Sequence, residues 1–175
     1  MNGVTEVFSN VNQTLAYFET YGLWFLFIIV FLEYLNLPGL PAGIIMPAIG
    51  ALVAHSKYDF LLVFCISIIA ATLGSVCLYY FGYFIGNAAM TWIYKKFPKS
   101  RKSIDKVSMY CEKFGAKGIF ICRLVPVART IVSLTSGTIR EKISTFVIYS
   151  IPGIAIWNFV FIISGYLASK AMISI

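Results

Sequence analysis

Charge is scarce in this chain. Only 12% of its 175 residues are charged, and just seven residues are acidic. A soluble globular domain carries about a quarter charged residues, and a disordered chain cannot be 59% hydrophobic, so composition excludes both. No lysine or arginine precedes Lys57, which removes the basic leader that a cleavable signal peptide needs. No Cys-x-x-Cys pair occurs among Cys65, Cys77, Cys111 and Cys122, and His55 is the single histidine. The cysteines therefore read as buried thiols, and neither a disulfide framework, a metal site nor a cofactor is expected. The ten-residue alternation of a membrane β-barrel is also missing. What remains is a set of continuous apolar runs with a mean hydropathy of +0.84. The fold class these predict is all-α integral membrane, with one membrane domain over residues 1–175.

The runs differ in length. Residues 1–21 mix polar and apolar side chains around Glu6 and Glu19 and read as an interfacial lead-in. Residues 22–37 are apolar apart from a few positions that include Glu33, and Pro38, Gly39, Pro41 and Gly43 then break the helix before a second apolar piece at 44–54. Each arm is short of the ~20 residues a span needs, so residues 22–54 predict a re-entrant hairpin. After the polar turn at 55–59, residues 60–86 form the clearest full span, with Tyr79, Tyr80, Tyr83 and Trp92 suited to an interfacial aromatic belt. Residues 95–117 are basic. Ile104, Val107, Cys111 and Phe114 share one face there, which predicts an amphipathic surface helix or a solvated linker helix, closed by Gly115. Residues 118–139 are broken at Pro126 and end near Gly137, a second hairpin. Such arms are tolerated at membrane depth only under a cover of protein or water. Residues 143–169 carry no charge and form the second full span.

The two halves match in order: a proline-broken hairpin with internal charge, a glycine (Gly50, Gly137), a polar turn, and a span ending near Gly-Tyr (Gly82-Tyr83, Gly165-Tyr166). Lys95, Lys96, Lys99, Arg101, Lys102, Lys106, Lys113 and Lys117 lie between the halves. A basic cluster flanked by membrane segments argues against nucleic acid and for cytoplasmic anchoring in a cell membrane. With that segment inside, Arg140 and Lys142 are also inside and Lys57 and Lys170 outside. One hairpin then enters from each side, which predicts an inverted repeat.

Three charges fall inside the apolar segments: Glu33, Arg123 and Arg129. A charge at the bilayer centre costs about 2.5–3.5 kcal/mol on insertion scales, so such residues mark substrate or ion paths. Arginine stays protonated and offers a planar fork that holds a phosphate through parallel bonds. Arg123 and Arg129 flank Pro126, so they can converge on one anion, with Thr130, Ser133 and the start of the following half-helix adding donors. The competing assignment is a structural ion pair between Glu33 and either arginine, and substrate can alternate with that pair. Glu33 itself has two roles open. Desolvation favours its protonated form and a proton-carrier role, whereas a nearby arginine keeps it a carboxylate.

Three ordered motifs bear on identity. They are Phe31-Leu-Glu33-Tyr-Leu-Asn-Leu-Pro38 with Gly50-Ala-Leu, then Gly74-Ser-Val-Cys-Leu-Tyr79-Tyr-Phe-Gly82 running to Gly86, and Phe114-Gly115 with Phe120-Ile-Cys-Arg123-Leu-Val-Pro126-Val-Ala-Arg129-Thr-Ile-Val-Ser133 and Gly137. Together they cover about residues 22–166, and the chain resembles the DedA membrane proteins. The resemblance implies two facing re-entrant hairpins and transbilayer lipid movement, as in recycling of undecaprenyl phosphate or flipping of phospholipids, often linked to proton-motive force. It also implies functional roles for Glu33, Arg123 and Arg129. The chain departs from the family pattern at Pro41-Ala42-Gly43-Ile44, where many members carry a second acid, and at Ser75 and Tyr83, where many carry an acid and a base. Those departures bear on proton coupling.

The leading reading is a lipid flippase for a polyprenyl phosphate, specifically undecaprenyl phosphate moved from the outer to the inner leaflet. The alternatives are a phospholipid flippase or scramblase indifferent to a proton gradient, and a proton-coupled small-ion transporter. The partners expected are membrane lipids through a phosphate headgroup, and protons; a homo-oligomer is left open. No nucleophile–base pair or metal-ligand cluster stands out, so an enzyme is not expected, and an assembly protein without transport ranks last. Gly82 and Gly86 read as close-packing positions, Asn158 as a hydrogen-bond partner for hairpin backbone, and Trp24 and Trp157 as packing or interface residues.

Overall fold

The computed structural model describes residues 22–35, 42–96, 107, 109–110 and 113–173. Those residues form helices, with no strand among them. In chain order they are α1 (Gly22–Tyr34), α2 (Ala42–His55), α3 (Phe60–Lys96), α4 (Ala116–Arg123), α5 (Pro126–Thr138) and α6 (Ile143–Ile173).

Two helices are long and apolar enough to cross a bilayer, Phe60–Gly86 of α3 and Ile143–Met172 of α6, with mean hydropathies of 2.5 and 2.1. Only 33% of each is buried within the protein. The core helix of a soluble protein would be mostly covered. Here Ile69, Phe84, Ile148 and Leu167 point outward instead, a surface that matches hydrocarbon and not water. α3 bends where Gly86 takes a left-handed φ of 49°, so its straight apolar part ends there. The remaining helices are short. α2 has 14 residues, α4 has 8 and α5 has 13, each well under the ~20 of an ordinary span.

The break between α4 and α5 follows from one proline. Val125 is extended at φ −104°, ψ 123°, the conformation forced on a residue that precedes proline. Pro126 then opens α5 at a position where its missing N–H is no loss. Pro38, Gly39 and Pro41, the predicted break of the first hairpin, lie outside the described residues. Two other predicted breaks are corrected. Gly43 is already inside α2, and Gly137 lies within α5.

Gly137 is there for contact. α5 lies along α3 and α2 lies along α6, and glycines sit at both crossings. A Cβ on Gly137 would strike the carbonyl oxygen of Tyr79, and one on Gly82 that of Leu134. At the other crossing Gly50 meets the carbonyl of Ile162, and Gly165 meets that of Pro47. Each half thus lays its second short helix against the long helix of the other half through a pair of glycines, the close approach that small residues permit. Gly86 has no such neighbour, so its predicted packing role falls to Gly82. Gly50→Val is expected to lower stability by about 3 kcal/mol through overpacking against backbone. Gly43→Ala, where a Cβ meets nothing within 4 Å, should change it by less than about 1 kcal/mol. Thermal unfolding in detergent reads both.

Two sequence assignments change for similar packing reasons. Tyr79 is not in an aromatic belt: it is buried, its hydroxyl donates to the carbonyl of Glu141, and its ring stands 5.0 Å from that of Phe146. Cys65 and Cys77 are exposed on the outer face of α3, and Cys122 is buried as expected.

Candidate functional site

α1 ends in the interior, where Glu33 and Tyr34 are buried, and the first turn of α5 carries Arg129 into it. The break at Val125 sets Arg123 on the last turn of α4 and Arg129 on the first turn of α5. The tertiary fold brings Glu33 and Tyr34 from α1 to meet them. All three predicted charges are buried: Glu33 is 3% exposed, Arg123 2% and Arg129 4%.

The two arginines have different surroundings. Arg129 Nη2 donates to Glu33 Oε1 at 2.8 Å, a buried ion pair. Its Nη1 donates to the Tyr34 hydroxyl at 3.2 Å. The guanidinium lies 4.9 Å from the centre of the Tyr34 ring and 4.8 Å from that of Trp157, close enough to both for cation–π attraction. Arg129 is therefore neutralised and gripped at its edges and by two aromatic rings.

Arg123 pairs with no carboxylate among the described residues. Its Nε and Nη2 both donate to Ser150 Oγ, at 3.3 and 3.1 Å. Nη2 also donates to Ser133 Oγ at 3.0 Å, and Nη1 to the carbonyl of Arg129 at 3.3 Å. Phe146 lies 5.4 Å from its guanidinium carbon. Every one of these partners is neutral. A buried guanidinium surrounded by hydroxyls and one carbonyl has most of its hydrogen bonds but not its charge satisfied, and buried charge is costly unless paired. Its planar donor fork suits a tetrahedral oxyanion. Across the cluster, Glu33 Oε2 and Trp157 Nε1 have no hydrogen-bond partner among the described residues.

Ser133, expected from the sequence to offer a donor to an anion, accepts from Arg123 Nη2. The side chain of Thr130 lies outside the described residues. Ser150 is a member of the cluster that the sequence reading misses, since a serine in an uncharged span carries no signal that an arginine faces it. Trp157 is more than a packing residue, because it caps Arg129. Among the described residues Asn158 bonds side chains. Its Oδ1 accepts from Tyr34 and its Nδ2 donates to Ser67.

The fold and this cluster define the class: an α-helical membrane protein with a buried arginine pair at a proline break, facing an acid from a second helical pair. Comparison with known proteins then identifies the family. The VTT domain matches residues 40–167. The chain is 30% identical over 157 residues to undecaprenyl phosphate transporter A of Staphylococcus aureus (strain NCTC 8325 / PS 47), covering 85% of this chain and 75% of that one. It is 29% identical over 153 residues to the protein DedA of Escherichia coli (strain K12), covering 83% and 69%. Undecaprenyl phosphate transporter A of Bacillus subtilis (strain 168) is 24% identical over 126 residues, covering 72% and 64%. No solved structure matches. This chain belongs to the DedA family of VTT-domain membrane proteins, as its three motifs imply.

Proposed function

We propose that this protein moves a phosphate-bearing lipid between the leaflets of the bacterial cell membrane, and that the lipid is undecaprenyl phosphate. The observation that carries this reading is the burial of Arg123 without a carboxylate partner among the described residues. A permanently charged fork, solvated by Ser133, Ser150 and one carbonyl, is a receptor for an anion arriving from outside the protein. A lipid phosphate could enter there while its hydrocarbon tail stays in the bilayer. The names of two relatives favour the polyprenyl carrier.

In this reading α1–α2 and α4–α5 are re-entrant hairpins, too short to cross, that meet at the Glu33–Arg129 pair. The exchange of short helices between halves, with matched glycines at Gly50/Gly165 and Gly82/Gly137, supports an inverted repeat. Residues 95–117 are cytoplasmic by the bias of positive charge. Glu33 takes up a proton as Arg129 leaves it for the phosphate, which would link transport to proton-motive force.

The direct test is reconstitution in liposomes with a fluorescent or isotopically labelled polyprenyl phosphate, followed across the bilayer with and without a pH gradient. Movement that accelerates with the gradient is the expected result. No movement by folded protein would sink the polyprenyl phosphate assignment. Movement indifferent to the gradient would leave a scramblase. For Glu33→Gln we expect a rate that no longer varies with pH. A pH profile identical to that of the unmodified protein would end the proton-exchange role of Glu33.

A further inference from the structure

One chain of hydrogen bonds in the cluster is not used by anion binding. It begins at the backbone carbonyl of Phe64 in α3, which accepts from Ser67 Oγ at 2.7 Å. With its proton spent there, Ser67 Oγ accepts from Asn158 Nδ2 at 3.1 Å. That fixes the Asn158 amide with Oδ1 toward Tyr34, whose hydroxyl donates to it at 2.8 Å. The Tyr34 oxygen is left with lone pairs for Arg129, and Arg129 Nη1 donates to it at 3.2 Å. The reversed amide would aim an acceptor at Ser67, whose proton is engaged, and would leave the Tyr34 proton with no acceptor in Asn158. A backbone group of a spanning helix thus sets the orientation of a hydroxyl that grips the arginine. Tyr34 is 7% exposed, and Ser67 and Asn158 are fully buried, so water does not compete for these bonds.

We propose that Tyr34, oriented by Asn158, is a positioning residue that holds Arg129 on Glu33 and so sets how readily the site closes on its anion. The inference rests on the anion-binding reading of Arg123. Arg129 can join Arg123 on a phosphate only by giving up Glu33, the Tyr34 hydroxyl and the faces of Tyr34 and Trp157. The resting arrangement therefore competes with the anion, and the apparent affinity is reduced by the fraction of molecules in which Arg129 stays docked. The consequence has a definite sign. Removing the Tyr34 hydroxyl weakens the resting arrangement and tightens anion binding, whereas loss of a residue that merely packs would loosen it or leave it unchanged.

Trp157 offers the readout, because its ring lies against the Arg129 guanidinium. In a Trp24→Phe/Trp92→Phe background, its emission follows that cation in detergent-solubilised full-length protein titrated with inorganic phosphate. Tyr34→Phe keeps the ring and deletes the hydroxyl. The expected result is a changed Trp157 emission before any phosphate is added, with half-saturation at about tenfold lower phosphate, the order that one hydrogen bond to a charged group carries. Asn158→Leu should move both quantities the same way by a smaller amount, and it serves as the test if Tyr34→Phe does not fold. Unchanged emission and half-saturation in Tyr34→Phe, or a higher half-saturation, overturns the proposal. An Arg123→Ala control separates the two readings. A titration unaltered by it refutes anion binding at Arg123, and the ligand-free emission of Tyr34→Phe then decides whether Tyr34 holds Arg129. Phosphate that leaves emission unmoved in every variant overturns both.

Discussion

Glu33→Leu is expected to destabilise the folded protein by about 3–5 kcal/mol, the range for stranding one member of a buried ion pair. The carboxylate is the only counter-ion that Arg129 has among the described residues. Without it the guanidinium would keep the Tyr34 hydroxyl and the two aromatic rings but remain charged in an interior that Arg123 already makes positive. The partner change is the control. Glu33→Leu/Arg129→Leu removes both charges, and replacing a buried pair by apolar residues is often close to neutral. Most of the loss in the single variant should return in the double one. Unfolding of the purified protein in mild detergent, completed as a double-mutant cycle, measures the coupling. A Glu33→Leu protein as stable as the unmodified one would mean that the pair, though close, does not hold α1 against α5.

The pair also marks how far the sequence could be read. Glu33, Arg123 and Arg129 were visible because charge is rare in apolar runs, and the break between the arginines because Pro126 cannot continue a helix and forces Val125 to extend. The straight part of α3 was legible from its uninterrupted apolar stretch. What could not be read was which arginine takes the acid. Arg129 lies 96 positions from Glu33 in sequence, and nothing local distinguishes it from Arg123. The choice is made by α1 arriving beside the start of α5, a tertiary event. The same holds for Ser150, Trp157 and Asn158, whose contacts depend on the face of α6 that meets the short helices. Gly137 shows the converse error. A glycine near a predicted break reads as part of the break, but its role is the close passage of α5 over Tyr79.

Arg123→Met is expected to separate function from stability in the opposite direction to Glu33. Truncating one side of a buried, hydrogen-bonded charge pair weakens binding by about 2–5 kcal/mol, so movement of a polyprenyl phosphate should fall by at least about thirtyfold. Arg123→Lys should not rescue it fully, because an ammonium is a point charge without the planar fork that reaches Ser133, Ser150 and the phosphate together. Stability should not follow. Arg123 is buried with no carboxylate beside it among the described residues, so its removal relieves a charge that none of them neutralises. A methionine of similar length can fill the space against Phe146 and leave the serines to find backbone acceptors. The melting temperature of Arg123→Met is therefore expected to equal or exceed that of the unmodified protein, while transport in liposomes is lost. That pattern would be the one expected of a group whose partner arrives from outside the protein. A variant that loses transport and stability together would instead make Arg123 a strut between α4 and α6, and the phosphate would have to be sought elsewhere. The contrast with Arg129 sharpens the expectation. Arg129→Met alone leaves Glu33 buried and unpaired, so it should be destabilising where Arg123→Met is not. Both results together would assign Arg129, in the resting protein, to holding the two helical pairs together and Arg123 to meeting the phosphate.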